Sequence, residues 1–482
     1  VGPPDAAGSG RADWVPWLIA LAVFAAYLPI SVFRYLRLEP TSWDLGIFTQ
    51  YVKQYAHLRA PIVDIRGAGV NLLGDHFHPI VALIAPFFRL FPSPVTLLVA
   101  QALLAAVSVI PVSRAAADRL GTGAGRAIGA AYGFSWGLQQ MVNFDFHEIA
   151  FAVPLLAFSL SALVRGRIRG AVLWALPLVL VKEDQGFTLA AIGIIIALAY
   201  RRPAAGLFLA AWGIGWSVLA IDVIIPHFNR AHVYPYWFDG GALTPAGGHF
   251  TVAPLLGQLA AASPTKVSTL ALILLPTAFI ALRSPIVLAA VPSLLLRFLS
   301  TNSSYWGTFW HYNATLMPIV FIAAIDAMAR IRAARATRAP GPVAAAVDLH
   351  GAAVMLAICV TLALRFPLST LWNSQTYSID QHVRAARAAM AQVPDGATVE
   401  TDLDLLAPLG ARTDTFWLGN RGNPATRYIV FDTASTDWQP PPRHLLQFLE
   451  QLNNNAAYQQ IYVNDGVYVF RRSAVPGQGP AR

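Results

Sequence analysis

Between Trp14 and Phe366, apolar stretches of membrane-spanning length follow one another, and most charged residues fall in the short gaps between them. Crossing hydrocarbon takes about 20 consecutive apolar residues in helical form, because no water is present there to satisfy an open backbone. The chain of 482 residues is 56% hydrophobic and only 12% charged, whereas a soluble globular chain carries about 25% charged residues. A soluble multidomain enzyme and a disordered chain are thereby excluded. A nucleic-acid partner is excluded too, despite the net charge of +9, because the basic residues stand singly along apolar segments and do not cluster on one face. The pattern predicts an all-α polytopic membrane protein.

Candidate spans are 14–33, 95–113, 127–143, 149–164, 171–181, 186–200, 204–225, 266–282, 285–299, 312–329 and 343–366. The stretch 79–92, bracketed by Pro79 and Pro92 and broken by Pro86 and Arg89, reads as an interfacial or re-entrant helix. The first span has no small-residue cleavage site and reads as a retained anchor. Arginines fix the orientation, because short cytoplasmic loops are the basic ones. Arg114, Arg119 and Arg126, then Arg165, Arg167 and Arg169, then Arg201 and Arg202, then Arg283, then Arg330, Arg332, Arg335 and Arg338 all fall on one side. Eleven spans, with a cytoplasmic N-terminus and an outer C-terminus, satisfy every one of these loops. Arginine dominance, with only Lys53, Lys182 and Lys266 as lysines, points to a GC-rich bacterial genome and a bacterial plasma membrane. The lone cysteine, Cys359, excludes a disulfide framework.

The same topology gathers the unusual polar residues at the outer face. They are Trp43-Asp44, Asp75-His76-Phe77-His78, Asp145-Phe146-His147-Glu148, Lys182-Glu183-Asp184, Asp222, His227, Arg297 and His311-Tyr312. Ionisable groups in or against a bilayer are costly and mark sites or internal pairs. Their shared side predicts one pocket. The first outer loop, 34–94, carries Leu45, Phe48, Tyr51, Val52 and Tyr55 at helical spacing, as expected of an amphipathic helix on the membrane surface. A second outer loop, 226–262, is rich in Gly, Pro and aromatics. After residue 366 the composition turns soluble, and 367–482 is read as a small extracytoplasmic α/β domain. It has a helix at Gln381–Gln392, a strand at Arg427–Phe431, and a hairpin turning at Asn464-Asp465-Gly466. Residues 476–482 read as a loose end.

The ordered motifs Trp-Asp-Leu-Gly-Ile-Phe (43–48), Gly-Asp-His-Phe-His-Pro (74–79), Phe-Asp-Phe-His-Glu (144–148), Val-Lys-Glu-Asp (181–184) and His-Tyr-Asn (311–313) carry a resemblance. Over roughly 40–330 the chain resembles an uncharacterised family of bacterial and archaeal multi-pass proteins, a domain of unknown function grouped with the GT-C glycosyltransferases. That resemblance implies a polyprenyl-phosphate-linked sugar donor and an acidic residue in the first outer loop, the place Asp44 occupies. Glycosyl transfer needs a carboxylate to take the acceptor's hydroxyl proton and fixed donors to stabilise the departing phosphate. Asp44 is the candidate base, and Lys182, Arg297 and His311 are the candidate phosphate donors.

Each residue also has a plainer reading. Asp44 could cap the helix that follows it. Asp75, His76, His78, Asp145, His147 and Glu148 could hold a divalent metal, contact sugar or phosphate, or brace the outer loops among themselves. Lys182 could be neutralised by Glu183 and Asp184, Arg297 could snorkel to the interface, Tyr312 could belong to an aromatic belt, and Asp222 could pair with His227. Phe416, Trp417 and Trp438 could stack on sugars or fill the core of the tail domain. At the level of function, the leading expectation is a transferase acting on an envelope glycan or glycolipid acceptor. The rivals are a flippase for lipid-linked glycan, which would place its polar groups at the midplane within inverted repeats, and a non-catalytic glycan-binding scaffold. No internal repeat is evident, and no phosphate-cradling loop for a nucleotide sugar is present.

Overall fold

A computed structural model of the chain describes residues 13–234, 236, 252–335 and 341–473. Most of the 226–262 loop and the end at 476–482 lie outside the described residues. Among the described residues, five helices are long and apolar enough to cross a membrane: Val15–Leu36, Pro94–Leu120, Pro203–Phe228, His311–Arg335 and Pro342–Ala363. Shorter apolar helices cover Pro79–Leu90, Glu148–Val164, Ile168–Leu180, Gln185–Leu198 and Pro285–Leu299. The protein is therefore a multi-pass, mostly helical membrane protein.

Local chemistry sets several boundaries. Pro94 opens its helix behind Ser93, whose hydroxyl accepts the Val95 N–H at 3.3 Å, the preferred arrangement for satisfying an orphan donor. His311–Arg335 runs through the middle of the bundle and is almost wholly enclosed, whereas Pro342–Ala363 lies at its edge. Gln185–Leu198 and Pro203–Leu219 pack backbone to backbone. A methyl group on Gly186 would overlap the Gly213 carbonyl, and one on Gly193 would overlap the Gly206 carbonyl, so small residues are what let these helices meet.

Two expected spans are broken. The 127–143 stretch divides into Thr122–Gly133 and Trp136–Asn143, because Ser135 is extended at φ −65° and ψ 144°. The 266–282 stretch stops at Thr277, where Ala278 and Phe279 take positive φ and reverse the chain. The expectation of an amphipathic surface helix is half right. Asp44–Ala56 is a helix, yet Leu45, Ile47, Phe48, Tyr51 and Val52 are all buried. The C-terminal domain covers it: Gln50 donates to the Thr415 carbonyl at 2.7 Å, and Lys53 donates to Thr413 at 2.8 Å.

That domain holds five strands, β1 (Thr398–Thr401), β2 (Asp414–Trp417), β3 (Tyr428–Asp432), β4 (Tyr458–Asn464) and β5 (Val467–Arg472), in the order β2-β1-β3-β5-β4. β1 runs parallel to β2 and β3, while β5 is antiparallel to β3 and β4. The expected helix is present at Gln381–Met390. The β4–β5 hairpin turns at Asp465 and Gly466, both with positive φ, as a tight two-residue turn requires. Strands β1 and β2 were not expected.

Candidate functional site

His76 from the 34–94 segment, the 144–149 segment, Lys182–Phe187 and the 293–315 region meet around a cavity of about 300 Å³. Its wall includes His76, His147, Lys182, Glu183, Asp184, Arg297, His311 and Tyr312, so four of the five motif segments predicted from sequence contribute to it. Ile149, Phe187, Ile221, Leu296 and Leu299 add apolar surface to the same lining. Tyr234, Tyr236, Asn302 and Tyr305 complete it, none of which the sequence reading named.

Of the two acids that line the cavity, Asp184 accepts from Gln185 at 3.1 Å, and Glu183, like Glu148 and Asp75 nearby, is paired with a base from another segment. Glu183 accepts from His76 Nδ1 at 2.7 Å, from the Phe77 N–H at 3.0 Å and from the Tyr234 hydroxyl at 3.0 Å. Burial pushes the Glu183 carboxyl up, but His76 and Lys182 outweigh it and hold it down at about 2. Glu148 lies 2.7 Å from His147 Nδ1 and 3.4 Å from Lys182 Nζ. Burial favours neutral lysine, yet Glu148, Glu183 and Asp184 keep the Lys182 ammonium well above its ordinary range. Lys182 is thus neutralised, but by Glu148 at 3.4 Å and not through an ion pair with the expected Glu183 or Asp184. Asp75 pairs with Arg66 at 3.0 Å and accepts from Tyr236 at 2.9 Å. His78 is driven by burial down to about 4 and sits 3.2 Å from the Tyr51 hydroxyl, a neutral brace.

Two groups stand out from this pairing. His311 is 2% exposed, stacks on His147 with centroids 3.7 Å apart, and finds no hydrogen-bond partner for either ring nitrogen among the described residues. Buried polar atoms are normally satisfied, so an orphaned imidazole in a cavity wall is suited to meeting a ligand. Asp44 has no ion-pair partner within 4.0 Å among the described residues. Burial pushes its carboxyl up, with His147 opposing and Glu148 adding, which makes it a better proton acceptor. Its helix is entered from Trp43, whose side chain makes no cap, and the Ser42 hydroxyl accepts the Asp44 N–H at 3.1 Å. Asp44 is the first helical residue, so the plain N-cap reading does not hold.

Other expected residues fall elsewhere. Arg297 does not snorkel. It is 6% exposed and turns inward to donate to the carbonyls of Tyr305 (2.9 Å) and Gly307 (3.2 Å) and to Asn313 Oδ1 (3.0 Å). Its charge faces the cavity while its N–H groups shape the 303–313 turn. Asp222 lies on an exposed π-helical turn, Ala220–Ile224, and forms no ion pair with His227 among the described residues. Neither lines the cavity. Asp145 accepts backbone N–H bonds beside the cavity and does not line it. The six residues expected as metal ligands do not converge, and no group of three or more His, Cys, Asp or Glu among the described residues is placed to share an ion. Their pairings with one another's neighbours brace the loops. Trp43 meets Trp417 edge to face at 4.9 Å beneath the Arg66 guanidinium. Phe416 is buried, and Trp438 packs between Phe431 and Phe448. Of the three tail aromatics, only Trp417 thus reaches the neighbourhood of Asp44.

A family profile described as "Predicted membrane protein (DUF2079)" matches residues 34–469, and the chain belongs to that family. Among solved structures, ArnT from Cupriavidus metallidurans bound to undecaprenyl phosphate is similar at TM-score 0.55 and 13% identity, with 97% of this chain and 99% of that one covered. The same protein in the apo state gives 0.53 and 12%, covering 95% and 97%. Arabinosyltransferase EmbB from Mycobacterium smegmatis gives a TM-score of 0.39 at 14% identity over 85% of this chain and 41% of that one. No curated protein sequence matches. The end-to-end likeness to ArnT is one of fold, and the GT-C-like architecture expected from the motifs is present.

Proposed function

We propose that this DUF2079 protein moves a sugar from a polyprenyl-phosphate donor to an envelope glycan or glycolipid acceptor at the outer face of a bacterial plasma membrane. The observation that carries the reading is the cavity. Its lining mixes apolar side chains with Lys182, Arg297 and the orphaned His311. Asp44 does not line it but lies near enough for His147, Glu148 and Lys182 to act on its carboxyl, and it has no ion pair within 4.0 Å among the described residues. The mixed lining suits a lipid with a phosphate head, and it lies within a fold shared with a structure that holds undecaprenyl phosphate. In the transfer, the Asp44 carboxylate takes the acceptor hydroxyl's proton as that oxygen bonds to the anomeric carbon. The carbon–oxygen bond to the phosphate breaks and leaves its electron pair on the lipid phosphate. Lys182 and His311 stabilise that charge in a partly dry site, where fixed donors act most strongly. Arg297 adds field from behind the turn it shapes.

The test is transfer of label from a panel of radiolabelled polyprenyl-phosphate sugars to an envelope-lipid extract, in nanodiscs. Wild type is expected to transfer, while Asp44→Asn and Asp44→Ala lose about 10²–10⁴-fold in kcat, the usual worth of a general base. Transfer surviving in both variants would remove Asp44 as the base. A folded wild type inert across the panel would overturn the transferase reading in favour of transport or scaffolding.

A further inference from the structure

Resting on the reading above, we infer that Asp145 is a positioning residue that sets the base Asp44 and the cavity imidazole His147 with one clamp. Its carboxylate is 6% exposed and accepts the backbone N–H of Thr41 at 3.0 Å and of Ser42 at 3.0 Å. The Ser42 hydroxyl in turn accepts the Asp44 N–H at 3.1 Å. Two hydrogen bonds therefore connect Asp145 to the first turn of the helix that carries Asp44. The link is also directional. Backbone N–H groups fixed on a carboxylate define the entry angle of the chain into its helix, where Trp43 makes no cap and the Ser42 hydroxyl holds the Asp44 N–H.

The other side of the clamp runs through Gln101, a fully buried amide in the Pro94–Leu120 helix. Gln101 donates to the carbonyls of Met141 and Asp145 and accepts the His147 N–H at 3.1 Å. The backbone on both sides of Phe146 is thus pinned to one side chain of a membrane helix. His147 lies two residues beyond Asp145, stacked on His311 and paired with Glu148. The base and the imidazole wall come from segments about a hundred residues apart, and Asp145 touches both.

The backbone marks the position independently. Asp145 has φ +109°, a region costly for a residue with a side chain and kept only where the surroundings over-determine it. Glycine occupies that region freely. A residue placed only for packing would gain from becoming glycine, whereas the bonds to Thr41 and Ser42, the half of the clamp that reaches Asp44, require the carboxylate.

This contrast supplies the test. Asp145→Gly relieves the backbone and deletes the clamp, while Asp145→Ala deletes the clamp and keeps the strain. Both are measured in nanodiscs for thermal unfolding, for kcat and donor KM, for the pH profile of kcat, and for hydrogen–deuterium exchange over 41–48 and 144–149. Asp145→Gly is expected to unfold at or above the temperature of Asp145→Ala, with a kcat at least tenfold below wild type and donor KM within twofold. The acidic limb of its kcat profile is expected to move, and exchange is expected to rise in both segments together. Wild-type kcat and pH profile in Asp145→Gly would overturn the assignment, as would exchange rising in one segment alone. A wild type inert in transfer overturns the parent reading. The paired rise in exchange then decides whether the clamp exists as a structural device, so the two failures separate.

Discussion

Replacing Glu183 tests the most tightly paired acid of the cavity wall. Its carboxylate is 2% exposed and accepts three hydrogen bonds, from His76, Phe77 and Tyr234. Glu183→Ala leaves His76 without its carboxylate and the Phe77 N–H without an acceptor. Removing one member of a buried pair costs about 3–5 kcal/mol. Glu183→Gln keeps one acceptor oxygen but turns an NH₂ toward a donor, so about 1–3 kcal/mol is expected. The pH dependence has two limbs. Glu183, held down at about 2 by His76 and Lys182 against the push of burial, contributes stability that is complete above the ordinary value of 4.5 and fades as pH falls from there. Burial and Lys182 favour neutral His76, but Glu183 and Asp75 outweigh them and raise it above 6.5, so its contribution is complete below 6.5 and fades as pH rises through the raised value. Wild type should plateau between those values. The assay is detergent-titrated unfolding from pH 4 to pH 9 of wild type, Glu183→Gln, His76→Gln and the double variant. Glu183→Gln should erase the alkaline limb belonging to His76. A coupling energy below about 0.5 kcal/mol, the scatter of independent sites, or an unchanged alkaline limb would refute the pairing.

Three further outcomes follow from the geometry. Lys182→Met should raise the donor KM about 10–100-fold, the worth of a charge-assisted hydrogen bond, with Lys182→Arg recovering part of the loss. A KM unchanged in Lys182→Met would show that the ammonium serves only Glu148. Gly213→Leu should abolish folded protein in size-exclusion chromatography, because its side chain overlaps the Gly186 carbonyl, while Gly215→Leu, with nothing within 4 Å, should behave as wild type. Gln50→Leu strips the Thr415 carbonyl and the Ile65 N–H of their partner and should cost about 1–3 kcal/mol for each buried group left unsatisfied. Faster hydrogen–deuterium exchange in β2 would report the loosened domain contact.

The membrane-spanning character and the motif segments of the site were legible because both depend on composition. Asp, Glu, His and Lys are conspicuous in a chain this apolar, and the arginine loops led to the expectation that they share one side. What escaped depends on pairing across the chain. His76 and Glu183 are 107 residues apart, and Lys182 meets Glu148 where the sequence offered Glu183 and Asp184 as nearer partners. The breaks at Ser135 and at Ala278-Phe279 left signals in Gly133, which ends one helix, and in Pro276, just before the reversal, but both residues lie inside continuous apolar stretches that mask them. β1 and β2 are four residues each, too short for alternation to register. Gln101 did leave a signal. A single amide in an apolar span is costly unless satisfied, so its presence asked for partners, and the structure supplies the carbonyls of Met141 and Asp145.

The distribution of pairing says where a ligand would be held. Glu148, Glu183 and Asp75 each have a base from another segment, so their charges are already compensated and their geometry is fixed by the closed bundle. Arg297 has its N–H groups satisfied by carbonyls and an amide, yet carries a charge that no carboxylate within 4.0 Å offsets among the described residues. His311 is left with both ring nitrogens unpartnered among the described residues, while Asp44 and the wall residue Asp184 are carboxylates without an ion pair there, Asp44 hydrogen-bonded to Ser42 and Asp184 to Gln185. A site built only for stability would satisfy the imidazole first, because unpaired buried polar atoms are expensive. Leaving it free while pairing the acids around it concentrates binding capacity close to a proton acceptor and a positive field. That is the arrangement a hydroxyl attacking beside a departing phosphate requires.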